Sequence, residues 1–401
     1  MREKEMYKYI GDFLVKEKGC DPATISIEQT TFRKGKLWTM DVVGIRASRI
    51  YGVEAKVGCG YYDIIDAITK ARFYKYACSY VYVCFSRADF ERSQLKGFLE
   101  EECKQHGVGL LLLNSDGLIE EFIEPQESDI IDLDIYVRIL NQLRMFQPRL
   151  STEVQGARAY IIRDICSFIG EKGYFREDEF IKYVGQSERY WRAQRPGARG
   201  VTLQDLIRNR IHWSLKAAEE LGLIEKSGKN RYTLTLLGKI LMYISVDQAK
   251  KPTLSEGVKI FFFTLAWHYP EVKEALAFLR RRGKAPWTHS KCSKCGNSGW
   301  KARLGYPENG KKAEGAFFIA DGRIVCGKCK KVLREGEDSV SVYHYIMKIF
   351  NRSFYEQLTF WFNSEVLPVK FEGPGGRDVR YDEGQLITPT LERFCLGQRA
   401  R

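Results

Sequence analysis

Three charged residues near the N-terminus have the types and the spacing of a hydrolytic metal site. Asp41 lies in the stretch Trp38-Thr-Met-Asp-Val-Val-Gly, and Glu54 and Lys56 lie in Tyr51-Gly-Val-Glu-Ala-Lys-Val. Glu54 and Lys56 are two residues apart on a predicted strand, so their side chains leave the same face, and hairpin pairing brings Asp41 opposite them. Carboxylates bind Mg²⁺, which polarises a phosphoryl oxygen and lowers the pKa of bound water, and a lysine can position that water. The pattern therefore predicts phosphodiester hydrolysis.

Four of the eleven cysteines form a second motif with metal-ligand spacing. Cys292-x-x-Cys295 and Cys326-x-x-Cys329 each place two thiolates on a tight turn, and two such turns complete a tetrahedral set for Zn²⁺. The intervening run around Asp321-Gly322 has the signature of a hairpin. The pattern predicts a structural zinc ribbon with a long insert, because four thiolates leave no open position for catalysis. The alternative is two unrelated pairs of free thiols.

Residues 1–124 alternate between helical and strand periodicities, which indicates an α/β unit that could position the acidic motif. Apolar residues at helical spacing predict a first helix that ends at Lys18-Gly19. The elements predicted to follow are strands at residues 25–31, 37–45 and 49–57, a helix at 62–77, a strand at 80–85, a helix at about 89–106 and a strand at 109–113.

The acidic motif in this context resembles the PD-(D/E)xK, or restriction-endonuclease-like, nuclease superfamily, in its form Asp followed by Glu-x-Lys. The resemblance covers roughly residues 3–115. It implies a mixed-sheet α/β nuclease domain in which Asp41 and Glu54 bind Mg²⁺ or Mn²⁺ and Lys56 orients or activates the water. The alternative is a solvated cross-strand cluster of charges on an ordinary sheet.

The resemblance implies roles for three more residues. The helix at 62–77 is similar to a superfamily helix that often reads Gln-Ala-x-x-Tyr, and Lys70 stands at the glutamine position, where it would contact the scissile phosphate or an acidic ligand. Members often carry a glutamate on the first helix, a place that Glu5, or as a second choice Glu3, would fill. Glu28 would supply a further metal ligand from the first strand. The alternative for these glutamates is an exposed charge at the end of an element.

Residues 157–245 show a different pattern. Helical periodicity at 160–169, 178–184 and 203–221 is followed by a Leu-Gly-Leu-Ile step, a turn at residues 227–230 and a strand that starts at Arg231. This order of helix, strand, turn, strand and helix resembles a winged helix-turn-helix domain, which implies DNA binding. Winged helices that bind proteins are the alternative.

The resemblance to a winged helix implies that the long helix enters the major groove and that the wing reaches phosphates. The candidate contacts are Arg208, Asn209, Arg210 and Lys216 on the helix, and Lys229 and Arg231 on the wing. A preceding loop rich in arginine, aromatic and glycine residues adds Arg192 and Arg195, a composition that fits backbone contact or base stacking. The alternative for each residue is a solvated basic face.

These observations together predict a modular chain. The expected parts are a nuclease-like mixed-sheet domain at 1–124, a connector at 125–155, a mainly α winged-helix domain at 156–250, a helical region at 251–363 that contains a small zinc-ribbon region at 286–336, and a tail at 364–401.

Composition and charge limit the class of protein. The formal net charge is +13, and the basic excess lies in residues 151–401, which indicates a polyanion partner, most often nucleic acid. The chain has no apolar run of the length that a membrane span needs and no apolar N-terminal signal region, and the other cysteines lack disulfide-framework spacing. We therefore expect a soluble, cytoplasmic protein.

The sequence thus predicts a Mg²⁺-dependent DNA endonuclease that acts on double-stranded DNA in restriction, defence, mobile elements or repair. A homodimer is expected if it cuts both strands, since that needs two active sites. The alternatives are a non-catalytic, transcription-associated DNA-binding protein that retains the nuclease fold as a scaffold, and, with less support, an RNA-directed enzyme.

Overall fold

A computed structural model describes the chain at residues 2–33, 36–46, 49–143, 154, 156–185, 187–192, 202–228, 230–245, 250–305, 315–353, 355–372 and 378–382. The chain divides into two compact units. The first comprises residues 1–149, 169–174 and 221–240, and the second comprises residues 150–168, 175–220 and 241–401.

A six-stranded mixed sheet forms the centre of the first unit. Its strands, in spatial order, are β1 (Ser26–Arg33), β2 (Lys36–Arg46), β3 (Arg49–Lys56), β4 (Tyr80–Ser86), β5 (Gly109–Leu113) and β6 (Ile119–Ile123). Strands β1, β2 and β3 pair antiparallel, β3 to β5 pair parallel, and β6 returns antiparallel. The prediction of a mixed α/β fold is confirmed, and five of the six strands lie where the periodicity placed them.

Five helices accompany the sheet: α1 (Glu3–Lys16), α2 (Tyr61–Tyr74), α3 (Arg87–Arg92), α4 (Lys96–His106) and α5 (Leu133–Leu143). The single helix predicted at 89–106 is two helices, because Ser93 is extended and its hydroxyl both donates to the Cys59 carbonyl and accepts from the Leu95 backbone N–H. Strand β6 was missed, because its five residues alternate between half-buried and exposed positions and lack a long apolar run.

The apolar face of α1 packs on one face of the sheet. Met6, Ile10 and Leu14 have no exposed surface and share a core with residues of β2 to β5, including Val53 and Ala55. Since successive strand residues point to opposite faces, Glu54 between them points away from this core. The packing of α1 therefore fixes which face of β3 carries the charged residue.

A two-stranded hairpin, β7 (Ile224–Gly228) and β8 (Arg231–Leu234), completes the first unit. Glu225 on the hairpin accepts from Arg49 at 3.3 Å. Lys239, in α10 (Leu236–Tyr243), pairs with Glu127. The contact of Glu225 with Arg49 ties the hairpin, predicted as the wing, to the strand that carries Glu54.

The other helices are α6 (Ala159–Lys172), α7 (Glu177–Val184), α8 (Glu188–Arg192), α9 (Leu203–Glu220), α11 (Glu256–Trp267), α12 (Pro270–Arg282), α13 (Val342–Phe350) and α14 (Tyr355–Asn363). The apolar stretch at 256–283 forms two helices because Pro270 lacks a backbone N–H and instead occupies the first turn of α12. In the described part of the chain, no helix is long and apolar enough to cross a bilayer.

The strands of the second unit are short. They are β9 (Lys284–Pro286), β10 (Ser290–Lys291), β11 (Ser298–Gly299), β12 (Lys301–Leu304), β13 (Ala316–Ala320), β14 (Arg323–Cys326), β15 (Val369–Glu372) and β16 (Asp378–Tyr381). Strand β16 pairs with both β15 and β9, so part of the predicted tail belongs to a sheet. Its pairing partner β9 lies about ninety residues earlier, a contact that local periodicity does not report.

Candidate active site and metal centre

Asp41 is a buried carboxylate near the end of the β2–β3 pairing. The register places Val42 opposite Val53, so Asp41 lies next to Glu54. The Tyr7 hydroxyl of α1 donates to Asp41 Oδ1 at 2.9 Å, and the Ala55 backbone N–H donates to Oδ2 at 2.7 Å. Each oxygen of the carboxylate thus has one donor from a separate element, which fixes its orientation.

Glu54 on β3 is fully buried and has three side-chain partners. Lys70 Nζ lies 2.7 Å from Glu54 Oε1 and Lys56 Nζ lies 3.1 Å from the same atom. The Tyr74 hydroxyl lies 2.6 Å from Glu54 Oε2. The structure therefore brings together the predicted residues Asp41, Glu54, Lys56 and Lys70 at one site.

One face of α2 supplies half of this site. Asp66, Lys70 and Tyr74 are spaced four residues apart, so they lie along one side of the helix. Asp66 Oδ2 is 2.9 Å from Lys56 Nζ and 3.2 Å from Lys70 Nζ. Of these three residues, only Lys70 was predicted as a site residue. The four-residue spacing from Lys70 would also have placed Asp66 and Tyr74 on the same helix face.

The surroundings of Asp41 change its proton affinity. Burial, and then the charge of Glu54, raise the pKa of Asp41 to about 6, although its two hydrogen bonds oppose the rise. Burial lowers the pKa of Lys56, but its contacts with Asp66 and Glu54 outweigh burial and the pKa is raised overall. The raised pKa values of Asp41 and Lys56 favour the protonated form of each group.

The three glutamates considered for the site, Glu5, its second choice Glu3, and Glu28, have different partners. Glu5 is at the start of α1, where it accepts from the backbone and side chain of Arg2. Glu3, the second choice, has a carboxylate oxygen 3.8 Å from Lys56 Nζ. Glu28 pairs with Lys4 at 2.6 Å and is half exposed. Of the three, Glu3 contacts a residue of the site.

The donor set at this site suits a hard divalent cation. Asp41 and Glu54 offer oxygen ligands. A divalent cation bound by both would offset the repulsion of Asp41 by Glu54. In the part of the chain that the structure describes, no third His, Cys, Asp or Glu ligand atom groups with them. A Mg²⁺ ion here would take its other ligands from water and phosphate oxygens, as Mg²⁺ commonly does.

The four cysteine side chains of the second motif form one cluster. Their Sγ atoms all lie within 4.8 Å of one another, with Cys292 to Cys329 at 3.7 Å and Cys295 to Cys326 at 3.6 Å. Four sulfurs at the corners of a tetrahedron around zinc, each with a bond of about 2.3 Å, are about 3.8 Å apart. The cluster could therefore bind a metal such as zinc.

The two cysteine turns have the same backbone geometry. The Gly296 N–H donates to Cys292 O at 3.0 Å, and the Lys330 N–H donates to Cys326 O at 2.9 Å. The residue that follows each pair has a left-handed backbone, with φ of 68° at Gly296 and 62° at Lys330. Asn297 Nδ2 lies 3.4 Å from Cys326 Sγ and supports the cluster from outside. Repeated turns and outer support are typical of structural sites.

The residues predicted to contact DNA are placed unevenly. Arg208, Asn209 and Arg231 are exposed. Lys216 lies 3.9 Å from both Glu219 and Glu220. Arg210 is buried and donates to Gly156 O at 2.7 Å, so it is not at the surface. Lys229, Arg195 and the side chain of Arg192 lie outside the described residues.

Comparison with known proteins leaves this geometry as the basis for function. No family model, curated protein or solved structure matches the chain.

Proposed function

We propose that this protein is a metal-dependent DNA endonuclease of the PD-(D/E)xK kind. The observation that carries the proposal is the convergence of Asp41, Glu54, Lys56 and Lys70 at one site, from two strands and a helix. Two buried carboxylates beside two ammonium groups are suited to hold a divalent cation and a phosphate together.

Each residue has a role in this proposal. Asp41 and Glu54 would hold Mg²⁺ or Mn²⁺, and the bound ion would polarise a phosphoryl oxygen and lower the pKa of a water. Lys56 orients the attacking water and Lys70 binds the scissile phosphate. Tyr7 and Tyr74 hold the carboxylates in place through their hydroxyl groups. Zn²⁺ at the four cysteines stabilises the second unit.

The net charge and exposed basic residues in each unit support nucleic acid as the substrate. The formal net charge of +13 favours a polyanion partner. Arg208 and Asn209 on α9, and Lys226 and Arg231 on the hairpin, are exposed and available for phosphates or base edges.

One observation favours a second candidate, a DNA-binding protein whose nuclease-like sheet is only a scaffold. Glu54 is already satisfied by Lys56, Lys70 and Tyr74, and a buried acid with complete pairing can have a purely structural role. In that case the protein binds DNA and does not cleave it.

Plasmid nicking in Mg²⁺ or Mn²⁺ separates the two candidates. We expect Asp41→Asn and Glu54→Gln to lower the cleavage rate about a hundredfold or more, because each removes a metal ligand. Glu121→Gln is the matched control, since Glu121 is also a strand glutamate that binds a lysine and a tyrosine, at 2.6 Å and 2.7 Å. Binding without cleavage by the unaltered protein would establish the scaffold instead.

A further inference from the structure

An exposed aromatic patch lies at the start of α2, next to the candidate active site. Tyr62 has 85% of its surface exposed and Tyr61 has 55%. The two rings meet edge to face at 5.8 Å, and Tyr61 stacks on Phe98 of α4 at 6.0 Å. Tyr61 is thus supported from behind, while Tyr62 presents an open ring to solvent.

The patch continues the helix face that builds the site. Tyr62 precedes Asp66 by four residues, as Asp66 precedes Lys70 and Lys70 precedes Tyr74. Four helical residues rise about 6 Å along the axis, which is close to the spacing of adjacent nucleotides in an extended single strand. The backbone positions of Tyr62 and Asp66 are therefore about one nucleotide apart along the helix axis, and the Asp66 carboxylate contacts Lys56 at 2.9 Å.

Two exposed cations lie close in sequence to Phe98, on which Tyr61 stacks. The Ser93 hydroxyl donates to Cys59 O at 2.8 Å, which holds the turn between α3 and α4 against the residues that precede α2. Arg92 and Lys96, on either side of this turn, are exposed. An open aromatic ring with cations nearby is the combination by which proteins bind unpaired nucleotides, because each base has a face to stack and each phosphate has a charge.

We propose that Tyr62 stacks on an unpaired base next to the cleaved bond, so that the enzyme acts on DNA with unpaired nucleotides, such as single-stranded ends, gaps or flaps, in preference to uninterrupted duplex. In a continuous duplex both faces of each base are covered by its neighbours, and Tyr62 has nothing to stack on. The inference rests on the proposed nuclease site for the position of the cut, and on Tyr62 itself for the choice of DNA.

Binding of the full-length protein to two short DNAs, a blunt duplex and the same duplex with an unpaired overhang, tests the proposal. Ca²⁺ replaces Mg²⁺ to hold the DNA uncleaved. We expect Tyr62→Ala to weaken binding of the overhang DNA roughly 5- to 100-fold and to leave the blunt duplex unchanged. Tyr62→Trp should retain binding, and a fluorescent base analogue in the overhang should be quenched by the unaltered protein and by Tyr62→Trp but not by Tyr62→Ala.

Tyr243→Ala is the matched control, because Tyr243 is 80% exposed on another helix and should have no effect. Equal losses on both DNAs, or no loss on either, would overturn the stacking role and point to a protein partner for the patch or to none. Cleavage assays keep this result separate from the proposed function. Cleavage that depends on Asp41 but not on Tyr62 would contradict only the stacking role. Binding that depends on Tyr62, without any cleavage, would contradict only the nuclease proposal.

Discussion

The acidic site and the cysteine cluster are built by opposite strategies. The cysteines come in pairs three residues apart, and each pair lies on one short turn with its own backbone hydrogen bonds. The acidic site takes Tyr7, Asp41, Glu54 and Lys70 from four separate elements. A local site can be recognised from spacing, whereas a dispersed site depends on the packing of the whole sheet.

The largest expected effect of a single substitution is at the cysteine cluster. If the cluster binds zinc as proposed, Cys326→Ser should abolish that binding and unfold the region around β10 to β14, because structural zinc supplies much of the folding free energy of such small modules. Zinc content and limited proteolysis would measure this, and the first unit should stay resistant.

Cys166→Ser is the control, since Cys166 is also fully buried but has no place in the cluster. It should keep zinc near the value of the unaltered protein. Full zinc occupancy in Cys326→Ser would show that the four thiols do not act as one site.

A smaller loss of stability is expected when the hydrogen bonds and ion pairs of the acidic site are removed. Glu54→Ala leaves Lys56, Lys70 and Tyr74 without their shared acceptor and should lower the free energy of unfolding by about 3–5 kcal/mol. Glu121→Ala should cost less, about 1–3 kcal/mol, because Glu121 and Lys18 are each 19% exposed and water can reach them, although the Tyr82 hydroxyl loses its acceptor. Urea titration measures both. An unchanged or more stable Glu54→Ala protein would mean that the site stores strain for a ligand.

The smallest effects are pH dependences of opposite sign in the two units. The pKa of Asp41 is raised from 3.8 to about 6. Its contribution to the free energy of unfolding is therefore fully present below pH 3.8 and is lost as pH rises through 6. Burial lowers the pKa of His344 from 6.5 to about 4, so its contribution is present above pH 6.5 and is lost as pH falls through 4. Each amounts to about 3 kcal/mol at most.

Thermal unfolding between pH 4 and pH 7, without added Mg²⁺, would resolve the two groups. Relative to the unaltered protein, Asp41→Asn should gain stability towards pH 7, and His344→Gln should lose less stability towards pH 4. Added Mg²⁺ should cancel the first difference and not the second. Parallel pH curves for all three proteins would contradict both assignments.

The chain's local patterns predicted much of the fold. Alternation and apolar runs placed β1 to β5, α1 and α2, because these elements each have a continuous face in the core. They missed β6, a short edge strand, and the pairing of β16 with β9, because neither has a long apolar run of its own. The break at Ser93 was missed because it depends on a hydrogen bond to a residue far away in sequence.

The sequence by itself determined the ligand types and the nearest neighbours of each site: the paired cysteines, and Asp41, Glu54 and Lys56 on adjoining strands. Only the tertiary structure decided that Tyr7 and Asp66 complete the acidic site and that Arg210 is buried. The physical reason is that spacing fixes the face of one strand or helix, while packing fixes which faces meet.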